Sequence, residues 1–287
     1  MDLYKLSVVV PAYNASATIV ECVESAFAAG ASQVVVVDDG SSDDTGALAA
    51  LAGAEVIVQQ NAGAAAARRL GLESVHSSSR AIVFLDSDDS LVAGGVGSAM
   101  VMLGSGIYAA VYGRTIGVHA DGSETLLKGW SVAVTTRTLL ERGYGPCPPA
   151  SVVWDAIYLR RAISDEIDAL WPRYAEDYEL MIRGTLLAPI ASIEEVSSRY
   201  RMTGGKSATS AIRSVGDAER IREHYASIAD LPIILRGERS QQALALIRNA
   251  SGERRGSRRR YTYLLKAALY HPGTVISFAA QSICQKR

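Results

Sequence analysis

Residues 81–89 read Ala-Ile-Val-Phe-Leu-Asp-Ser-Asp-Asp, an apolar run that ends in a cluster of carboxylates. A continuous apolar run of this length predicts a strand over 81–85 that is covered on both faces. Three earlier apolar runs, each followed by a helical segment, predict strands at 6–10, 34–37 and 56–58 and helices at 18–29, 45–51 and 63–75. This alternation predicts an α/β fold with a parallel, doubly wound sheet, in which Pro11 stops the first strand.

Polar residues follow three of the predicted strands. Tyr13 comes after the first strand, Asp38 and Asp39 end the second, and the acidic run 86–89 ends the fourth. Ligands of doubly wound sheets bind beyond the carboxyl ends of the strands. We therefore expect these residues to share one ligand site.

The pattern changes after residue 105. A turn signal at 120–122 predicts a hairpin between 109–118 and 123–127. Further along the chain, the patterns predict helices at 154–163 and 176–187, a strand at 190–202, a mobile loop at 204–210 and helices from 215 onward. The predicted domains are 1–210, with halves 1–105 and 106–210, and a helical C-terminal region over 211–287.

The composition excludes several classes of protein. Hydrophobic residues make up 48% of the chain and charged residues 21%, the balance of a globular protein rather than a disordered one. A formal net charge of −1 provides no long-range attraction for nucleic acid. Cys22, Cys147 and Cys284 are far apart and lack metal-site spacing, which favours a reducing, cytoplasmic location. The N-terminus lacks the pattern of a secretory signal, and no apolar stretch reaches the ~18 residues of a membrane-spanning helix.

The acidic loop after the predicted fourth strand is the strongest chemical signal. Asp86, Asp88 and Asp89 bring like charges close together, and such charges repel unless a cation lies between them. Carboxylate oxygens suit Mg²⁺ or Mn²⁺, which can also bind two phosphates. A solvated acidic turn is the alternative, and the loop alone favours neither.

Three other segments each allow a functional and a structural interpretation. Asp39 could accept hydrogen bonds from a base or ribose, or its segment could simply cap the next helix. Arg68 lies near the start of a predicted helix that follows Gly63. It could bind a phosphate, because a helix N-terminus favours anions, or it could simply be exposed to solvent. Glu176 and Asp177 begin a helix, where the helix dipole favours carboxylates and where one of them could act as a general base.

In combination, these segments resemble a known family. The quoted pieces are Val10-Pro11-Ala12-Tyr13-Asn14, Val37-Asp38-Asp39-Gly40-Ser41-Ser42-Asp43, Asn61-x-Gly63 with Ala67-Arg68, Phe84-Leu85-Asp86-Ser87-Asp88-Asp89, and Glu176-Asp177. Their order and spacing, over roughly residues 5–205, resemble bacterial, non-processive family-2 glycosyltransferases with the GT-A fold. Each piece is only moderately specific, whereas all of them in this order are strongly specific.

The resemblance implies a nucleotide-binding role for residues at the strand ends. Pro11, Tyr13 and Asp39 would line the nucleobase and ribose pocket. Arg68 would approach the base or the diphosphate. Asp86, the first residue of a DxD motif, would face the ribose or metal-bound water.

The resemblance also implies a metal site and a catalytic base. Asp88, the second acidic residue of the DxD motif, would bind Mn²⁺ or Mg²⁺, and Asp86 and Asp89 would share the metal. Asp177 matches the general base of an inverting transfer, and Glu176 would orient the site. The implied reaction moves one sugar from a nucleotide-diphosphate sugar, by default a UDP-sugar, to a hydroxyl of a glycan or lipid-linked acceptor in polysaccharide or cell-envelope synthesis.

Further residues allow two interpretations each. Arg201, with Lys206 and Ser207, resembles a basic segment that closes over the sugar donor in relatives, and a surface strand and turn is the alternative. Trp154 and Trp171 could stack on a sugar, with Trp154 the candidate on the acceptor side, although core packing is the more common role of tryptophan.

Two features depart from the family or distinguish branches of it. Arg69 stands where the family often has Asn, so the contacts of that helix end are in doubt. No Gln-x-x-Arg-Trp segment follows the Glu176-Asp177 pair, and membrane helices are missing from the sequence, which favours a single-addition enzyme over a processive synthase.

The C-terminal stretch 254–270 is basic and then amphipathic. Such a segment predicts either peripheral contact with an anionic membrane, at its inner face, or packing against the rest of the protein. Competing functions are a haloacid-dehalogenase-like phosphatase that uses Asp86 and Asp88, and a catalytically inactive sugar-nucleotide-binding protein. A nucleotidyltransferase is disfavoured because 8–14 contains no Gly-rich basic loop.

Overall fold

The computed structural model of the chain describes residues 5–164, 166–202, 211–251, 253 and 256–276. The chain forms two compact units, Met1–Arg201 (unit 1) and Met202–Arg287 (unit 2). The domain boundary expected near residue 210 falls outside the described residues, so those domain limits stay a prediction.

The first half of unit 1 alternates strands and helices. Its elements are β1 (Leu6–Ala12), α1 (Ile19–Ala28), β2 (Ala31–Asp38), α2 (Thr45–Leu51), β3 (Glu55–Val58), α3 (Ala64–Glu73) and β4 (Ala81–Phe84). The strands pair in parallel in the order β3-β2-β1-β4. Every residue of β1 and β4 is buried, which explains why their sequences are continuously apolar rather than alternating. The predicted α/β fold class is confirmed.

Strand β1 does not stop at Pro11, contrary to the prediction. Pro11 lies inside the strand and pairs with Val37 of β2. The pairing of β1 with β4 ends earlier, at Val9 and Phe84, and Val9 O accepts the last bond on that side, from Leu85 N. Since alternate residues of a strand face the same neighbour, the nitrogen of Pro11 faces the side where pairing has already ended, and its missing N–H costs no ladder bond.

The second half of unit 1 extends the same sheet. Its elements are β5 (Ser90–Leu91), α4 (Ala93–Leu103), β6 (Ala110–Val118), β7 (Glu124–Leu126), α5 (Thr136–Arg142), a 3₁₀ turn (Pro149–Ser151), β8 (Val152–Asp155), α6 (Ala156–Ile163), α7 (Glu176–Leu187) and β9 (Ile190–Arg201). The strand order continues β4-β8-β6-β9-β5, and the predicted hairpin is confirmed as the antiparallel pair β6 and β7. Strand β8 runs antiparallel to both of its neighbours, whereas β9 runs parallel to β6.

The helix predicted over 154–163 begins two residues later than expected. Trp154 belongs to β8 and is buried. Asp155 ends that strand, and its side chain accepts hydrogen bonds from Ile157 N and Tyr158 N, so it caps α6. The predicted helix 176–187 is confirmed as α7.

Helix α4 was not predicted from the sequence. Its glycines weaken the sequence pattern of a helix, and Gly95 explains where the helix lies. The Cβ of any other residue at 95 would lie 2.2 Å from Val196 O of β9. Gly95 therefore lets the helix lie directly on the sheet beside β5 and β9.

Unit 2 is helical, as predicted, with α8 (Ala211–Ile228), α9 (Glu238–Ser251) and α10 (Arg258–Tyr270). Glu219 of α8 is buried, and its carboxylate accepts hydrogen bonds from Arg222 Nη1, Arg236 N and Arg236 Nη1. These bonds fix the connection between α8 and α9. None of the helices in the described residues is both long and apolar enough to cross a membrane.

Candidate functional site

The acidic loop lies between two strands that fix both of its ends. Strand β4 leads into the loop, and Asp89 N donates to Asp86 O at 3.0 Å to close a turn. Strand β5 follows at once, and its Ser90 pairs with Arg199 of β9. The loop is therefore held by the sheet at both ends, which limits how far its carboxylates can move.

Arg68 of α3 joins the acidic loop to the start of α7. Its Nη2 donates to Asp86 Oδ1 at 2.5 Å, and its Nη1 donates to Glu176 Oε1. The side chain is only 12% exposed. This arginine brings the end of β4, helix α3 and the Glu176-Asp177 pair into one site. Its role at the base or the diphosphate stays a prediction.

Burial and neighbouring charges shift the pKa values of Arg68 and Glu176. Burial raises the pKa of Glu176 to about 7; Arg68 opposes this rise, and Asp177 adds to it. Burial alone would lower the pKa of Arg68, but the carboxylates of Asp86, Glu176 and Asp177 outweigh burial and raise it. Arg68 is therefore a permanent cation, whereas burial dominates at Glu176 even though it is ion-paired.

Asp89 is the most deeply buried carboxylate of the loop. Its Oδ1 accepts a hydrogen bond from Arg201 N at 2.8 Å, while its Oδ2 has no hydrogen-bond partner among the described residues. Burial and the nearby charge of Asp86 raise the pKa of Asp89 to about 8. Arg201 also donates from Nε to Asp88 O and forms an ion pair with Glu21. Arg201, at the end of β9, thus holds the loop by its backbone and by its side chain.

The donor atoms of the loop fit a hard divalent cation. Carboxylate oxygens suit Mg²⁺ or Mn²⁺, and within the described residues Asp89 Oδ2 is a buried oxygen with no hydrogen-bond partner. Within the described part of the chain, no three His, Cys, Asp or Glu side chains are placed to hold an ion by themselves. Mg²⁺ is commonly held by one or two carboxylates together with substrate phosphates, so this arrangement agrees with a metal that binds alongside a diphosphate.

Both carboxylate oxygens of Asp39 accept hydrogen bonds from the loop before α3. Its Oδ1 accepts from Gln59 Nε2 at 2.6 Å and from Ala62 N at 2.7 Å, and its Oδ2 accepts from Gly63 N at 2.9 Å. These bonds fix a segment that needs glycine, because Gly63 has a φ of +94°. The sequence suggested a choice between nucleotide binding and helix capping, but the bonds show a third role, the anchoring of this loop.

The predicted nucleobase residues lie at the same edge of the sheet. Pro11 is buried in β1, and Asp39 is buried just after β2. Tyr13 is exposed just beyond the end of β1. Ala12 O accepts a hydrogen bond from Asp39 N, so the two strand ends are joined directly. Their role in nucleotide binding stays a prediction.

Asp177 follows Glu176 in the first turn of α7. Ala175, just before the helix, has a φ of +61°, which turns the chain sharply into α7. Asp177 lines a cavity of about 60 Å³ together with Arg68, Cys147 and Trp171. Burial, followed by the charge of Asp177, raises the pKa of the Cys147 thiol well above its ordinary value.

The remaining predicted residues are placed as follows. Trp154 is 3% exposed and packs against Gly184 of α7, so its part in acceptor binding stays a prediction. Arg201 contacts the acidic loop, while Lys206 and Ser207 lie outside the described residues. Sequence reasoning missed Glu21, because its ion pair with Arg201 spans 180 residues of sequence and leaves no local pattern.

Part of the chain is similar to a known protein family. The family model described as glycosyl transferase family 2 matches residues 7–130. A comparison with curated proteins gives no match.

Among solved structures, S. aureus TarS 1–349 in complex with UDP-GlcNAc is similar at 19% identity and a TM-score of 0.60, over 92% of this chain and 79% of that one. TarS 1–349 in complex with UDP is similar at 17% identity and a TM-score of 0.56, over 96% and 92%. The longer S. aureus TarS structure gives 18% identity and a TM-score of 0.55, over 94% of this chain and 54% of that one. At these identities the likeness concerns the fold.

Proposed function

We propose, from the premise that residues 7–130 belong to glycosyl transferase family 2, that this chain moves a single sugar from a nucleotide-diphosphate sugar to a hydroxyl of a glycan or lipid-linked acceptor, with inversion at the anomeric carbon. The observation that carries the proposal is the bridge made by Arg68, which holds the acidic loop and the start of α7 in one site. A UDP-sugar is the proposed donor, and the similar TarS 1–349 structure in complex with UDP-GlcNAc supports that choice.

In the proposed reaction, Asp177 is the general base. It takes the proton of the acceptor hydroxyl while that oxygen attacks the anomeric carbon and the bond from this carbon to the diphosphate breaks. The position of Asp177 in the first turn of α7, on the wall of a cavity, supports this role. Glu176 is held by Arg68 and fixes the start of the helix, so the neighbouring base keeps its direction.

The positive charge needed by the leaving diphosphate comes from two proposed sources. Arg68 supplies a guanidinium group beside Asp86. Asp88 and Asp89, with Asp86, would hold Mn²⁺ or Mg²⁺, which supplies Lewis-acid stabilisation of the leaving group when it is bound. Asp89 Oδ2, which has no hydrogen-bond partner in the described ranges, supports this assignment.

Replacement of the base tests the reaction. Asp177→Asn should lower turnover by ~10²–10⁴, the usual contribution of general-base catalysis, while binding of the sugar donor survives. Asp121→Asn is the matched control, because Asp121 lies in an exposed turn and bonds to Ser123. Turnover of Asp177→Asn close to that of the wild type would remove Asp177 from the role of base.

The sugar donor can be identified by a thermal-shift screen. Nucleoside-diphosphate sugars are compared with and without Mn²⁺, because a ligand that binds only the folded state raises the melting temperature. UDP-sugars should give the largest shift. A larger shift with another nucleotide would replace UDP in the proposal.

Peripheral membrane contact through 254–270, at the inner face of a membrane, is a further part of the proposal. In α10, Tyr261, Leu265 and Leu269 recur every four residues and are 58%, 68% and 85% exposed. Arg258 and Arg259 at the start of this helix are also exposed, and the combination suits an anionic lipid surface. Residues 254 and 255 of this segment lie outside the described residues.

Sedimentation with liposomes tests the membrane contact. The wild type should co-sediment with vesicles that contain phosphatidylserine and remain in solution with neutral vesicles. The double variant Leu265→Glu and Leu269→Glu should lose this binding, whereas Leu51→Glu, an equally exposed leucine of unit 1, should keep it. Wild-type protein that stays in the supernatant with anionic vesicles would end this part of the proposal.

A further inference from the structure

Two guanidinium groups lie over the ring of Trp171. Arg69 of α3 is stacked over its ring at 4.4 Å from the ring centroid, and Arg183 of α7 lies at 4.8 Å. Both distances are within the ~6 Å over which a cation is attracted to an aromatic face. The indole therefore links α3 and α7 at a second point, beside the ion pair of Arg68 with Glu176.

The segment before α7 is held in an unusual backbone conformation. Trp171 has a φ of +47° and Ala175 one of +61°, values that L-residues keep only when their surroundings hold them there. Leu170 N donates to Glu179 Oε1 at 2.8 Å, which fixes the backbone just before the tryptophan to α7. The backbone immediately before Glu176 and Asp177 is thus held in a defined conformation, with Leu170 bonded to α7.

Arg183 holds a fixed position, so it can support the ring of Trp171. It is 1% exposed, and its Nη2 donates to Ser164 O at 3.0 Å and to Ile167 O at 3.3 Å. A buried guanidinium with bonds of this kind holds a fixed position, and the ring that rests on it is fixed as well. Arg69 then covers the ring from the side of α3.

We propose that Trp171 is a positioning residue: through its contacts with Arg69 and Arg183, it holds the segment that sets the direction of Glu176 and Asp177. This inference rests on the proposed function, since it concerns the placement of the proposed base. It also assigns Trp171 to the protein's own arginines rather than to an acceptor sugar.

Substitutions of the tryptophan separate its aromatic face from its bulk. Trp171→Phe keeps a face for both guanidinium groups, and Trp171→Leu keeps apolar volume without one. Trp130→Leu is the matched control, because Trp130 lies under Arg142 at 4.5 Å and the substitution breaks a comparable contact elsewhere in unit 1. Arg69→Met removes only the cation contributed by α3.

The kinetic readout is release of the nucleoside diphosphate from the nucleotide-sugar selected in the thermal-shift screen, without added acceptor. Trp171→Leu should lower kcat by about 10- to 100-fold, since a displacement of ~1 Å at a catalytic group can cost ~10²-fold. The KM for the nucleotide-sugar should stay within about twofold, Trp171→Phe should recover most of kcat, and Arg69→Met should fall between them. A loss expressed in KM, or equal losses in the Phe and Leu variants, would overturn the proposal.

Amide hydrogen exchange gives a readout that does not need activity. Peptides covering 173–181 should exchange faster in Trp171→Leu than in Trp171→Phe, and Trp130→Leu should match the wild type there. If the wild type turns over no nucleotide-sugar, the proposed function fails. Hydrogen exchange still tests whether Trp171 holds the segment before α7. Unchanged exchange in Trp171→Leu would refute it.

Discussion

Replacement of Arg68 by methionine tests the central ion-pair arrangement. Methionine keeps most of the length and apolar volume but removes the charge that Asp86 and Glu176 share. The loss of one partner from a buried ion pair costs ~3–5 kcal/mol, because the remaining charges stay buried without compensation. Since the side chains of Asp86 and Glu176 are 32% and 21% exposed, we expect the lower end of that range.

The expected size of the effect can be measured by thermal unfolding. A loss of ~3 kcal/mol in a unit of this size should lower Tm by ~6–12 °C at neutral pH. Arg114→Met is the matched control: Arg114 pairs with Glu194 at 3.4 Å in an exposed ion pair. Exposed pairs contribute only ~0–1 kcal/mol, so this variant should unfold close to the wild type.

The effect should depend on pH in a defined direction. Glu176 has a pKa of about 7 in the folded protein, above its ordinary value of 4.5, mainly because it is buried. A carboxyl group whose pKa is raised by folding stabilises the protein fully below its unfolded pKa, and this contribution is lost as pH rises through the folded pKa. Without Arg68 the Glu176 carboxylate is still less favourable, so the deficit of Arg68→Met should be smaller near pH 5 than near pH 8.

Two results would refute this reasoning. One is an equal deficit at pH 5 and pH 8, which would show that the carboxylate charge does not govern the loss. The other is a Tm for Arg68→Met as high as that of Arg114→Met. In that case the bridge would contribute no more than a solvent-exposed pair.

The remaining predictions concern the proposed metal, the packing of α4 and the buried network of unit 2. EDTA should abolish sugar transfer and added Mn²⁺ or Mg²⁺ should restore it; full activity in chelator would contradict the metal proposal. Gly95→Ala should lower Tm strongly, because its Cβ would lie 2.2 Å from Val196 O, whereas Gly97→Ala has nothing within 4 Å and should stabilise the helix by ~0.5–1 kcal/mol. Glu219→Gln should destabilise unit 2 by ~3 kcal/mol at pH 7. This deficit should shrink as pH falls below ~4.5, because hydrogen bonds from Arg222 and Arg236 outweigh burial and lower the pKa of Glu219; urea unfolding that gives the same deficit at pH 3 would contradict it.

The fold of residues 6–84 was predictable because its signals are local. Each buried strand is a short apolar run, and each helix follows it within a few residues. Two errors, one in this region and one beyond it, have physical causes that the local pattern does not carry. Pro11 is tolerated because the neighbouring strand has already ended, and Trp154 belongs to a strand because β8 inserts between β4 and β6.

The site was only partly predictable. The motifs indicated Asp86, Arg68, Glu176 and Asp177, and the structure brings them together. The contacts themselves could not be predicted, since Arg68 and Glu176 are separated by 108 residues and meet only through the packing of α3 against the start of α7. The two guanidinium groups around Trp171 have no sequence pattern for the same reason.

The charge balance of the site is the physical reason for proposing a cation. In the described part of the chain, the acidic loop and the start of α7 bring several carboxylates near one another, and Arg68 and Arg201 contact this group. The acidic residues are Asp86, Asp88, Asp89, Glu176 and Asp177. Burial raises the pKa values of Asp89 and Glu176, and the neighbouring carboxylates add to the rise. A nucleotide diphosphate is itself an anion, so such a site would repel it unless a positive ion is bound with it. Removal of one loop carboxylate should therefore weaken diphosphate binding in the presence of Mn²⁺, although simple repulsion would predict the opposite.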